Sequence, residues 1–255
     1  MFIKLRDKTK MRMNDKITKK YFEELDVIKG VAILLVIMGH SEYGLEIPTI
    51  CKVFVQSYSM ALFFIASGFL FSLTETWQSF FRKKLLRLVI PYLSFGLLTI
   101  AKRFFLSNYT ESGSINLKDS LWGLLCGDYY WFLYVLFLFM VVVKIINNKY
   151  VLLGLGMASV LISLIYQTDS FIFTRIIHYP FYFICGFFLR EHYERLSLII
   201  LNNAKAIGLS ITLVFFLIMF LGDKFITTRI IYSQFIREII GSLFIWNFCF
   251  ACKQH

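Results

Sequence analysis

Lys29 and His40, eleven positions apart, bracket the apolar run Val31 to Met38 in a segment that reads as one membrane-spanning helix. A hydrocarbon core of about 30 Å needs roughly 20 helical residues, so any register that crosses the bilayer here carries Lys29, His40 or both into or against it. Ionisable groups are costly there and are functional candidates by default. At about 100° per residue the two return to within about 20° of one helix face, about 16 Å apart along the axis. Asp26 shares that face and precedes Lys29 by three residues, within reach of an ion pair. Neutral imidazole takes a proton from a hydroxyl and returns it, which suits His40 to general acid–base work, and Gly39 lets a partner approach closely. The same pattern equally suits a histidine hydrogen-bonded between helices and a lysine snorkelling to headgroups.

Four other groups of residues have chemistry-bearing types. Lys84 and Arg87 lie one helical turn apart before Pro91-Tyr92, where two cations can grip phosphate, or can simply fix orientation. Ser67 and Gly68, within Phe63-Phe64-Ile-Ala-Ser67-Gly68-Phe69, form a small-residue notch that serves close helix packing or leaves room for a narrow ligand. Trp131 follows Tyr129-Tyr130 at the start of a helix, the ordinary place for an interfacial aromatic belt. Arg175 and His178 precede Pro180 and point either into a cavity or into headgroups.

The elements that hold these residues are membrane helices. The chain has 255 residues, 58% of them apolar, and a mean hydropathy of +0.68, which leaves too little polar surface to cover a soluble globule. Apolar blocks near 28–47, 51–73, 88–106, 129–146, 150–166, 171–189, 207–221 and 230–252 predict an all-α, polytopic helical bundle of about eight transmembrane helices. The alternating pattern of a membrane barrel is missing.

The formal charge of +11 does not indicate nucleic acid, because its distribution is topological. Residues 1–20 hold eight Lys or Arg against two Asp. Arg82, Lys83, Lys84 and Arg87 follow two helices later, Lys144 and Lys149 after two more, then Arg190, Arg195 and Lys205, while the intervening connections are near neutral or acidic. Basic charge on alternate loops predicts a multi-pass protein with a cytoplasmic N-terminus, lying in a lipid bilayer. The first helix reads as an uncleaved anchor.

Cysteines number five and lack framework spacing; Cys249 and Cys252 have redox-motif spacing inside an apolar block, where core packing is the ordinary role. His40, His178, His192 and His255 lack zinc spacing and offer no haem-ligand pair, so no metal site is predicted. Gly154-Leu-Gly156 lacks the strand and third glycine of a dinucleotide site, and neither a Gly-x-Ser-x-Gly elbow nor a Walker sequence is present.

Leu25-Asp26-x-x-Lys29-Gly30-x-Ala32-Ile33 with Gly39-His40 resembles the first-helix signature of the acyltransferase-3 family of integral-membrane O-acyltransferases, an arginine followed after ten residues by histidine. The resemblance continues through Phe63-Phe64-x-x-Ser67-Gly68-Phe69, Lys84-x-x-Arg87 before Pro91-Tyr92, Trp131-Phe132-Leu133 and Phe183-x-x-Gly186. Lys29 and Lys84 stand where the family has arginine, keeping the charge and losing the planar fork. Members usually have about ten spanning helices against about eight here, which predicts a basic tail over 1–22 and a C-terminally incomplete acyltransferase-like domain over 23–255.

The resemblance implies transfer of an acyl group, often acetyl, from cytoplasmic acyl-CoA to a hydroxyl of a cell-surface or lipid-linked glycan in a bacterial plasma membrane. Acyl-CoA is then a donor substrate, and no cofactor is permanently bound. His40 is the expected base, or a transient acyl carrier, and Lys29, nearer the cytoplasmic mouth, is the other catalytic candidate. Lys84 and Arg87, with Lys29, attract the CoA, Ser67 and Gly68 line the channel, Asp26 holds Lys29, and Trp131 faces the acceptor or closes the outer mouth. Two readings from other classes are a proton-coupled transporter built on Lys29, Asp26 and His40, and an inactive membrane remnant.

Overall fold

The computed structural model describes residues 23–40, 49–106, 116–165, 171–193, 209–210, 213, 238–243 and 245–246; the side chains of 23–24, 38–40, 49–58, 164 and 171 lie outside that set. Every regular element among the described residues is helical. They are α1 (Glu23–His40), α2 (Thr49–Phe69), α3 (Trp77–Lys84), a π-helical turn (Leu85–Val89), α4 (Ile90–Leu106), α5 (Leu117–Cys126), α6 (Trp131–Ile146), α7 (Lys149–Ile165), α8 (Phe171–His178) and α9 (Pro180–Glu191). Three helical stretches, Trp77–Leu106, Leu117–Ile146 and Ile172–Glu191, are long and apolar enough to cross a membrane.

Apolar residues cover both sides of α1, as a bilayer solvent requires. Leu25, Ile28 and Ala32 form its buried face and join a cluster with Leu62, Ala66 and Phe69 of α2, and with Ile245. Val27, Ile33, Leu34 and Ile37 are exposed on the other side.

The centre of the bundle is the crossing of α2 with α9, where glycines on both helices remove the side chains that would hold them apart. A Cβ added at Gly68 would stand 1.9 Å from the Phe183 carbonyl oxygen, and one at Gly186 1.9 Å from that of Ile65. Of the two roles open to this notch, packing is the one seen at Gly68. Around the crossing lies an aromatic core that includes Phe64, Phe139, Tyr179 and Phe183, all buried.

The third apolar helix starts eleven residues earlier than hydropathy indicated, at Trp77 rather than residue 88. Thr76 caps it by accepting the Ser79 N–H at 3.4 Å, the usual work of a threonine at that position. The π-turn then joins α3 to α4 with an Ile90 N–H bond to the Leu85 carbonyl. Pro91 explains its place: proline donates no N–H and its ring crowds the carbonyl four residues back, here Arg87. Widening the turn relieves that crowding and keeps the helix continuous. Hydropathy also left 117–126 unassigned, yet Asn116 caps α5 by accepting the Lys118 N–H at 3.1 Å. Gly127 ends it at φ +93°, the left-handed conformation that favours glycine.

Pro180 interrupts the block over 171–189, turning one predicted helix into α8 and α9 with Tyr179 at the elbow. The blocks near 207–221 and 230–252 and the tail over 1–22 lie almost wholly outside the described residues.

Candidate active site

At one end of the bundle α2 finishes, α3 begins, α6 and α9 end and α7 starts, and basic residues gather there. Lys83 pairs with Glu75 at 2.7 Å. Lys84 is half-buried among Glu75, Lys83 and Arg87, and Arg87 projects from the π-turn, exposed. The connection between α2 and α3 is tied down from two sides. The Lys144 ammonium, only 8% exposed, donates to the Leu73 and Glu75 carbonyls and lies 5.8 Å from the Trp77 ring centroid. Arg190 donates to the Phe71 carbonyl at 3.0 Å. Lys149 pairs with Glu191, joining the start of α7 to the end of α9. Positive charge read as topological thus does a second job, satisfying loop carbonyls that no helix pairs.

On the neighbouring α1, Lys29 pairs with Asp26 at 2.5 Å, the i, i+3 contact expected from the sequence. Both side chains are more than a third exposed, at the margin of the buried face. His40 is the last residue of α1, two helical turns beyond Ala32, and its side chain lies outside the described set.

A second group assembles further along the bundle, and it absorbs Trp131. The Trp131 ring stacks with Tyr179 at 5.3 Å between centroids, and Phe64 stacks with Tyr179 at 4.7 Å. The Arg175 guanidinium lies 4.7 Å from the Trp131 centroid and donates to the Tyr179 hydroxyl at 3.3 Å. Trp131 is therefore part of an intramolecular cation–aromatic group, in which arginine is drawn to the face of the π-system. Tyr130, immediately before it, is held at φ 41° and its hydroxyl is 3.0 Å from Thr99 Oγ1. A left-handed conformation is costly in a bulky residue and persists only where its surroundings enforce it; here it sets the angle at which α6 and Trp131 begin.

His178 is buried, and it points into the bundle rather than toward headgroups. Its Nε2 is 2.6 Å from Glu238 Oε2 and its Nδ1 3.3 Å from Ser163 Oγ. Glu238 and Ser163 were not singled out in the sequence, although a glutamate inside an apolar block carries the same cost signal as Lys29 and His40. Among the described residues no group of three His, Cys, Asp or Glu side chains is arranged to hold a metal ion.

All-helical architecture, apolar spans, a cationic end and a separate buried acid–base group narrow the class, and comparison decides it. The acyltransferase-3 model, described as an acyltransferase domain, matches residues 22–254. The chain belongs to the acyltransferase-3 family. No curated protein and no solved structure matches it. This acyltransferase is thus a helical membrane enzyme that needs an acyl donor and an acceptor. Its described residues form two polar regions, a cationic end with Lys84 and Arg87 and an aromatic–imidazole region with Trp131, Arg175 and His178.

Proposed function

We propose that this acyltransferase moves an acyl group, acetyl in the simplest case, from cytoplasmic acyl-CoA to a hydroxyl of a cell-surface or lipid-linked glycan. The observation that carries the donor side is the placement of Lys84, at the end of α3, and Arg87, on the π-turn that follows, within a helix long enough to span the bilayer. Arg87 is exposed and, among the described residues, belongs to no ion pair, so its planar fork is available to phosphate oxygens. The alternation of loop charge supports a cytoplasmic location for this end and for the N-terminus, in a plasma membrane of bacterial type.

In this reading Lys29, steadied by Asp26, adds to the field that draws in the CoA. Ser67, half-buried beside the α2–α9 crossing, lines the acyl path while Gly68 brings the two helices together. His40 takes the proton of the acceptor hydroxyl, and Trp131 with Arg175 borders the acceptor. The test uses inside-out vesicles from cells making the protein, supplied with ¹⁴C-labelled acetyl-CoA. Label is expected in the glycan fraction, and His40→Ala is expected to abolish it. Undiminished label in His40→Ala vesicles would remove His40 from its role.

A further inference from the structure

Ser163 near the end of α7, His178 at the end of α8 and Glu238 in the helical segment 238–243 belong to three elements and meet at one imidazole. All three are buried, with exposures of 9%, 5% and 1%. When Nε2–H is donated to the Glu238 carboxylate, Nδ1 turns a lone pair toward the Ser163 hydroxyl. A nucleophile within reach of a base that is itself oriented by a third group is the arrangement that activates serine, whatever the fold or residue order.

The array also lies in a telling place. Lys149, which marks the cationic end through its pair with Glu191, is fourteen residues from Ser163 on α7, or about 21 Å along the axis. The hydrocarbon core is about 30 Å thick, so Ser163 is well displaced from Lys84 and Arg87 toward the other side. Tyr179, next to His178, stacks on Trp131. An anionic CoA held at the cationic end and a glycan at the far side need something between them that carries the acyl group alone.

We propose that Ser163 is a covalent acyl carrier, activated by His178 and Glu238, which accepts the acyl group from acyl-CoA and presents it to the acceptor. This rests on the acyl-CoA reading above. Ser163 Oγ attacks the thioester carbonyl, its proton passes to His178 Nδ1, and the carbon–sulfur bond breaks; CoA leaves as the thiolate and is protonated by water. The imidazolium is held by Glu238 while the ester exists. The acceptor hydroxyl then attacks the ester, giving its proton to His40 and from there to water, and the departing Ser163 Oγ recovers its proton from His178.

Purified protein in detergent is given ¹⁴C-labelled acetyl-CoA, quenched in acid and digested, and glycan transfer is measured in parallel in vesicles. An acetylated peptide containing Ser163 is expected from the wild type. Ser163→Ala should lose that label and transfer at least about a hundredfold more slowly. Ser163→Cys, nearly the same size, should trap the group as a thioester released by neutral hydroxylamine, unlike the serine ester. Glu238→Gln should slow label formation with the KM for acetyl-CoA unchanged, and Glu238→Asp should restore part of the rate. Wild-type glycan transfer without label on Ser163, with Ser163→Ala transferring at the wild-type rate, overturns the carrier and leaves the acyl-CoA reading standing. Failure of the wild type both to transfer and to label overturns both.

Discussion

Replacing Gly68 or Gly186 by alanine tests whether the α2–α9 crossing sets the geometry of the bundle. Each new Cβ would meet a backbone carbonyl oxygen at 1.9 Å, Phe183 in one case and Ile65 in the other. Ordinary contact begins near 3.4 Å, so the helices must separate by roughly 1.5 Å, a displacement that forfeits much of the dispersion attraction along the interface. Neither obstacle is a flexible side chain that can swing away. Overpacking of this kind costs about 1–3 kcal/mol, and with backbone as the obstacle the upper part of that range is expected, equivalent to roughly 5–10 °C in Tm. The two contacts lie on one interface, so once the first alanine has parted the helices the second meets a widened gap. The double variant should therefore cost clearly less than the two singles added, by about 1 kcal/mol or more. Thermal unfolding in a fixed detergent, followed by intrinsic fluorescence, gives all four values of the cycle. Single variants within about 0.5 kcal/mol of wild type, or strictly additive costs, would refute the reasoning.

Three further outcomes follow from the polar contacts. Lys144→Met removes the donor to two carbonyls and is expected to cost about 2–3 kcal/mol, with faster proteolysis between residues 70 and 76; Lys144→Arg should recover part of the stability. Arg87→Ala should raise the KM for acyl-CoA about tenfold with kcat little changed, the pattern of lost uniform binding, read from initial rates over a range of acyl-CoA. Arg175→Met should shift tryptophan emission and lower stability by about 1–2 kcal/mol, whereas an unaltered spectrum would place Arg175 away from Trp131 in the folded protein.

The residues that announced themselves in sequence did so through cost or local spacing. Asp26 and Lys29 are three apart on one helix, so their pair needs nothing beyond helical geometry. The helix character of 131–146 and 149–165 followed from hydropathy alone, because a spanning helix satisfies its backbone internally. What escaped was either polar and local or distant in sequence. The Thr76 cap extends α3 through Arg82, Lys83 and Lys84, which hydropathy assigns to a loop. Tyr179 and Trp131 are 48 residues apart, and only the packing of α6 against the α8–α9 elbow brings them together. Lys144 and Arg190 were legible as sign and side; that their targets are the carbonyls of Phe71, Leu73 and Glu75 depends on how the α2–α3 connection folds back. Glu238 had a signal, an acid within apolar sequence, while Ser163 had none, since serine is common in membrane helices.

The π-turn over Leu85–Val89 has a consequence for inheritance as well as for shape. A π-turn is in effect one extra residue inserted into an α-helix, and one residue of α-helix is about 100° of rotation. Lys84 and the residues before it therefore keep a phase of their own relative to α4, set by that insertion and not by the packing of Tyr92, Gly96 and Ile100. Deleting a single residue from the turn would swing Arg82, Lys83 and Lys84 by about a quarter of a revolution around the helix axis relative to Tyr92, Gly96 and Ile100. In a protein of this design, the direction in which these three cations face is set by the length of the turn and not by their own side chains.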